Sequence, residues 1–211
     1  MNILSFKRIV AIGLVFLAAC AGWVALGTTT VQRSVASSGQ LNSKVEALWG
    51  EAIVQTSPAF SVEIPGNKQN RWIMPVKNDI KVRLDADYRK KGLLWYSTYV
   101  ADFKAAYAIY NAEQAVQKVR IHFAFPMPDA TYDNFSVALD GKSFDSAVNT
   151  AEGVNELIEL GPGKKAEFTV SYRTRGLDTW QYQTDRNAGR VRGLDLEVKT
   201  NFADVDYPEG S

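Results

Sequence analysis

The stretch QKVRIHFAFPMP (Gln117–Pro128) puts Val119, Ile121, Phe123 and Phe125 on one face of an extended chain and Lys118, Arg120 and His122 on the other. A period of two is the signature of a half-buried strand, and Pro126 and Pro128 end it by withholding backbone donors. The same period recurs in both directions. Phe60, Val62 and Ile64 alternate with Ser61 and Glu63 before Pro65-Gly66. Ile80, Val82, Leu84, Ala86 and Tyr88 alternate with Lys81, Arg83, Asp85 and Asp87, and the long segment Leu94 to Tyr110 carries Phe103, Ala105, Tyr107 and Ile109 on one side. Downstream, Phe135, Val137 and Leu139 lead into Asp140-Gly141, a two-residue hairpin signal. Ile158 and Leu160 precede the turn Gly161-Pro162-Gly163, followed by Phe168, Val170 and Tyr172 and then by Trp180 and Tyr182. In the last long strand Leu194, Leu196, Val198, Thr200 and Phe202 face one way, with Asp195, Glu197 and Lys199 facing the other. About nine or ten strands, each apolar on one face only, predict a mainly β fold, an antiparallel β-sandwich. Strands of a parallel α/β sheet would instead read as continuous apolar runs.

A different pattern occupies the N-terminus. No charge falls between Arg8 and Arg33, and IVAIGLVFLAACAGWVALG (Ile9 to Gly27) consists of apolar and small residues. As a helix it measures about 28 Å, close to the roughly 30 Å of a bilayer's hydrocarbon. Lys7 and Arg8 favour a cytoplasmic N-terminus and an exported remainder, and Trp23 falls near the far interface. Three readings of the segment stay open. A cleaved signal would use a site at Ala18, Ala19 and Ala21, yet Trp23-Val24-Ala25-Leu26 continues the apolar run. Leu17-Ala18-Ala19-Cys20 resembles the box before a lipidated cysteine, which makes Cys20 the alternative lipidation site. An uncleaved anchor suits the uninterrupted run best. Leu41, Val45, Leu48 and Trp49 then form a helical stripe that Gly50 ends, either as an outward stalk or as a second, amphipathic helix. The predicted organisation is a cytoplasmic tip and transmembrane anchor over 1–27, a helical stalk or packing helix over 28–55, and one β-sandwich domain over 56–211.

Composition narrows the chemistry. In 211 residues, Lys+Arg number 24 against Asp+Glu 23, a net charge of +1 that gives no footprint for nucleic acid. One Cys and one His exclude a disulfide framework, most metal cages and a Cys–His nucleophile. His122 lies on the polar face of its strand. Gly141-Lys142-Ser143 lacks the upstream glycine of a phosphate loop, since position 136 is Ser, and Gly161-Pro162-Gly163-Lys164-Lys165 reads as a turn. Asp85/Asp87 and Asp204/Asp206 each share a strand face, too few ligands for a hard cation. Asn134-Phe135-Ser136 fits the glycosylation pattern of a eukaryotic host only. No catalytic residue, metal or cofactor is therefore expected. Two basic–aromatic clusters stand out: Asp87 to Tyr96, with Arg89, Lys90 and Trp95, and Arg173 to Trp180, with Arg175 and Trp180, continued by Arg186, Arg190 and Arg192. Arginine beside exposed aromatics suits a glycan, a lipid headgroup or a protein partner. The structural alternative is that the rings face the core and the charges guard strand edges.

The order of these segments resembles the CreD-type inner-membrane proteins of Gram-negative bacteria. It comprises the membrane span, an amphipathic stretch ending Leu48-Trp49-Gly50, a strand opening Pro58-Ala59-Phe60, and Tyr88-Arg89-Lys90-Lys91-Gly92-Leu93 before a Tyr-rich strand. The closing Asn201-Phe202-Ala203-Asp204-Val205-Asp206-Tyr207-Pro208-Glu209-Gly210-Ser211 resembles the end of that family's exported domain. The resemblance implies an inner-membrane protein with a periplasmic β domain and a role in envelope maintenance or stress, without catalytic residues to carry over. Relatives continue into further membrane helices, so the chain is expected to be either the N-terminal part of a longer protein or a reduced relative with one anchor. A ligand-binding lipoprotein, acylated at Cys20 and holding glycan or lipid, is the alternative.

Overall fold

The structure, a computed structural model, describes residues 3–64, 70–91, 94–143, 149–184 and 191–207, with side chains described for 6–36 and from 49 onward within these ranges. It divides into two compact units, 1–48 and 49–211. The first consists of most of one α-helix, α1 (Ile3–Trp49). Residues 6–36 are exposed throughout, and Phe6–Ala36 has a mean hydropathy of 2.5, so the helix is long and apolar enough to cross a membrane. A signal sequence near an N-terminus meets the same criterion. Three consecutive hydroxyls bond back along the helix: Thr28 Oγ1 donates to Val24 O at 2.6 Å, Thr29 Oγ1 to Ala25 O at 2.9 Å and Thr30 Oγ1 to Leu26 O at 2.8 Å. Each hydroxyl thereby satisfies its polarity within the helix, which runs on through Gly27 to Trp49. The stripe ending at Trp49 thus belongs to the same helix. The stalk expected over 28–55 stops there, with Gly50 at φ 98°.

The second unit is mainly β. Its strands are β1 (Ile53–Thr56), β2 (Ala59–Glu63), β3 (Asn70–Trp72), β4 (Lys77–Ala86), β5 (Arg89–Lys91), β6 (Leu94–Tyr96) and β7 (Thr98–Tyr110). They continue with β8 (Gln117–Phe123), β9 (Asp133–Leu139), β10 (Lys142–Ser143), β11 (Val154–Leu160), β12 (Lys165–Leu177), β13 (Trp180–Gln183) and β14 (Leu194–Thr200). A six-stranded sheet in the order β10-β9-β12-β7-β4-β14 faces a four-stranded sheet in the order β11-β8-β2-β3. Rings join them across the sandwich: Phe60 of β2 lies 6.5 Å from Tyr107 of β7 and 6.4 Å from Phe168 of β12, and Phe123 of β8 lies 6.5 Å from Phe103 of β7. Such tilted and edge-on pairs contribute beyond the area they bury.

Alternation in sequence becomes alternation in burial along β4, where Ile80, Val82 and Leu84 are inside while Lys81 and Arg83 are exposed. The same holds in β7 and β12. Three features depart from the sequence-based expectation. The segment Leu94 to Tyr110 is two strands, because β6 turns back onto β5 while β7 crosses the core. The sandwich is not purely antiparallel: β1 runs parallel to β13 and β14 runs parallel to β4. The aliphatic face of β14 is uncovered, with Leu194 at 47%, Leu196 at 39% and Val198 at 42% exposure. β14 is a sheet edge, and the opposing sheet has only four strands.

Candidate interaction surface

The two basic–aromatic clusters meet at one corner of the β unit, where the chain enters from Trp49. Main-chain bonds build that corner. Asp178 N donates to Ser97 O at 2.9 Å, Leu177 N to Glu51 O at 3.0 Å, and Ile53 N to Thr179 O at 3.0 Å. The β5/β6 hairpin, the entering chain and the turn between β12 and β13 are thereby tied together. Asp178 sustains that turn at φ 59°, a left-handed conformation that Asp tolerates better than most residues. Tyr99 completes the tie. Its hydroxyl donates to Thr179 O, and its ring lies where a Cβ on Gly176 would come within 2.5 Å. Gly176 is therefore a close approach of ring to backbone.

Within this corner the individual residues divide. The Arg89 guanidinium donates to Asp87 Oδ2 from Nη2 at 2.9 Å and from Nε at 3.2 Å, and the residue is half-buried. Lys90 Nζ lies 5.6 Å from the Trp95 ring centroid, and Trp95 is 69% exposed beside exposed Leu94 and Tyr88. Lys91 Nζ lies 5.9 Å from the Trp49 ring, which in turn meets Tyr96 edge-on at 5.5 Å. The hairpin therefore presents two cations on two indoles, a pairing that holds ammonium groups against aromatic faces. In the second cluster Arg175 is exposed on β12, while Trp180 is half-buried in β13 and packs against the core. Its indole N–H, like the Tyr96 hydroxyl, is buried without a hydrogen-bond partner among the described residues. Arg190 lies outside the described residues, as does Arg186. Thus Arg89, Lys90, Trp95, Arg175 and Trp180 share one corner, but only Lys90, Trp95 and Arg175 offer exposed side chains there.

The other candidates have local explanations. Asp85 takes Arg83 Nε at 3.0 Å, as Asp87 takes Arg89, so each acid of that pair has a neighbouring cation. His122 Nδ1 lies 2.8 Å from Asn155 Oδ1 across the β8–β11 pair, away from the Phe face. Asp140 and Gly141, both at positive φ, form the tight turn joining β9 to β10, which accounts for Gly141-Lys142-Ser143. Among the described residues no three of His, Cys, Asp and Glu gather into a metal-sized group, and Asp204 and Asp206 are exposed. Cys20 is an exposed free thiol within α1.

Sequence reasoning missed a buried polar centre. Gln55 is fully buried in β1; it accepts the Tyr172 hydroxyl at 2.6 Å and donates to Thr56 O at 2.7 Å and Ala124 O at 3.2 Å. Tyr107 and Tyr182 hydroxyls lie 3.2 Å apart nearby in the same core. Burial raises the Tyr107, Tyr172 and Tyr99 hydroxyls well above their ordinary range and pushes Tyr132 up to about 12, so these groups stay protonated around neutrality. Nothing in the sequence near Gln55 distinguishes it from an outward polar residue of an alternating strand.

No family model and no curated protein matches the chain. Among solved structures, one described as a "putative nutrient binding protein" from Legionella pneumophila subsp. pneumophila str. Philadelphia 1 aligns at 12% identity and a TM-score of 0.38. The alignment covers 58% of this chain and 44% of that one, so the chain spans less than half of that protein's length.

Proposed function

We propose that the chain is the membrane-tethered, exported β domain of a CreD-like inner-membrane protein, acting in envelope maintenance through protein contacts rather than catalysis. The observation that carries this reading is the pairing of a membrane-length apolar segment, exposed over Phe6–Ala36, with a β unit that follows the helix in the chain. Lys7 and Arg8 before the span favour a cytoplasmic N-terminus, which directs the β unit to the periplasm of a Gram-negative cell. The exposed Lys90–Trp95 pair and Arg175 at the entry corner are the surface that such a domain would present to a protein partner. The uninterrupted apolar run through Trp23-Val24-Ala25-Leu26, beyond the candidate cleavage and lipidation positions, supports an uncleaved anchor.

The test is topological. In the native bacterium an antibody to the β unit should find the protein in carbonate-washed membranes. Added protease should degrade it once the outer membrane is opened, and not before. Substituting Cys20→Ser should leave membrane retention and migration unchanged. Release by carbonate would overturn the anchor, protection in opened cells would overturn the orientation, and palmitate labelling lost in Cys20→Ser would establish the lipoprotein alternative. For the contact surface, a strain complemented with Lys90→Ala/Trp95→Ala should show the envelope defect of the deletion strain while making normal amounts of protein. Full complementation would move the contact away from this corner.

A further inference from the structure

We propose that the free edge of β14 is an acceptor site for an additional β-strand, supplied by another polypeptide and carrying aliphatic side chains at alternate positions. The inference is independent of the family reading above. Two main-chain bonds give the phase of the edge. Gly193 O accepts from Asn78 N at 2.8 Å, and Asn201 N donates to Leu84 O at 3.3 Å, so the odd-numbered residues turn their backbone groups toward β4. The even-numbered residues Leu194, Leu196, Val198 and Thr200 therefore aim N–H and C=O at the open side. No strand pairs there among the described residues. Natural edges are commonly blunted by prolines, bulges, brevity or charged side chains, and the charges of β14 (Asp195, Glu197 and Lys199) lie on the face opposite its aliphatic residues. β14 has seven residues, no Pro, and an unshifted register against β4.

The side chains reinforce the backbone. The residues with open backbone groups include the exposed Leu194, Leu196 and Val198, so one incoming strand would complete the hydrogen bonds and bury apolar surface together. At its N-terminal end this face runs into a recess lined by Trp72, Ile73, Tyr182, Arg192 and Leu194, which extends the apolar surface toward the edge of the second sheet. On the opposite face Lys199 pairs with Glu197 at 2.8 Å, whereas Asp195 has no ion-pair partner among the described residues. The incoming strand should thus place Lys or Arg opposite Asp195, since opposite charges across a strand pair stabilise it.

A second copy of β14 fits this edge poorly. Antiparallel self-pairing that keeps the aliphatic faces together has three central registers. With the two-fold at Leu196, Asp195 meets Glu197 of the other copy twice. With the two-fold at Glu197, two glutamates oppose each other. With the two-fold at Val198, Glu197 meets Lys199, but Leu194 runs beyond the other strand's end at Thr200. A different strand can avoid all three faults.

The experiment uses the full chain in phospholipid nanodiscs and a fluorescein-labelled peptide, Val-Thr-Val-Thr-Val-Lys-Val, against a scrambled peptide of the same composition, with empty nanodiscs as blank. Anisotropy should rise saturably with the alternating peptide and not with the scrambled one. Leu196→Lys and Asp195→Lys should each weaken binding at least tenfold; both positions are exposed, so the fold is retained. Amide exchange at Leu196, Val198 and Thr200 should slow at least tenfold on binding, with Glu197 and Lys199 unchanged. Equal binding of the scrambled peptide, unchanged exchange at the even positions, or a protein already dimeric and cross-linked through Val198→Cys in a Cys20→Ser background would overturn the proposal.

Discussion

Gly50 shows how much can rest on a missing methyl group. At φ 98° it holds a conformation that L side chains rarely adopt, and a Cβ there would lie 2.6 Å from Arg175 O. Gly50→Ala should cost about 2 kcal/mol in urea unfolding, from backbone strain together with the displaced β12 carbonyl. Gln55 is the polar counterpart. Gln55→Leu leaves the Tyr172 hydroxyl and Ala124 O without their partner, and a buried orphan costs about 1–3 kcal/mol. A double-mutant cycle checks this: Tyr172→Phe should be milder in the Gln55→Leu background than in the wild type, with a coupling of about 0.5–3 kcal/mol. Additive losses would show that the two side chains act separately.

At the scale of elements, the strands legible in the sequence were those buried on one face and solvated on the other, as in β4, β7, β8 and β12. Their period of two reports directly which side meets the core. The same pattern misled at β14, because alternation says that a strand has an apolar face and not that another layer covers it. Parallel pairing of β1 with β13 was likewise invisible, since four residues of strand carry no record of their partner's direction. The candidate corner was half legible. Runs of cations and rings marked the right segments, but which rings turn inward depends on where β6 folds back onto β5. Trp95 turned outward, so Trp95→Ala should change unfolding free energy by less than about 0.5 kcal/mol. A larger loss would mean that the hairpin supports the core instead of presenting a surface.

For the whole molecule, the core rings set an alkaline limit. Tyr132 is pushed up to about 12 by burial, and Tyr107 and Tyr172 also lie above the ordinary value of 10.0. The folded state then holds protons that the unfolded chain releases. Stability is full below about pH 10 and falls as pH rises through the range between the unfolded and folded values. Unfolding followed by circular dichroism should show the denaturant midpoint dropping above pH 10, and Tyr132→Phe should make that drop shallower. A midpoint that stays flat to pH 12 would contradict the burial of these hydroxyls. The parallel pair of β1 and β13 sets an order in time as well. Gln55, just beyond the helix, bonds to Tyr172, 117 residues later, and Ile53 waits for Trp180. A chain leaving the ribosome N-terminus first exposes its earliest strand longest, and that strand is sealed only once β12 and β13 have emerged. The segment that follows the helix therefore waits open while β2 to β12 are made, an unpaired strand through the synthesis of everything between it and its partner.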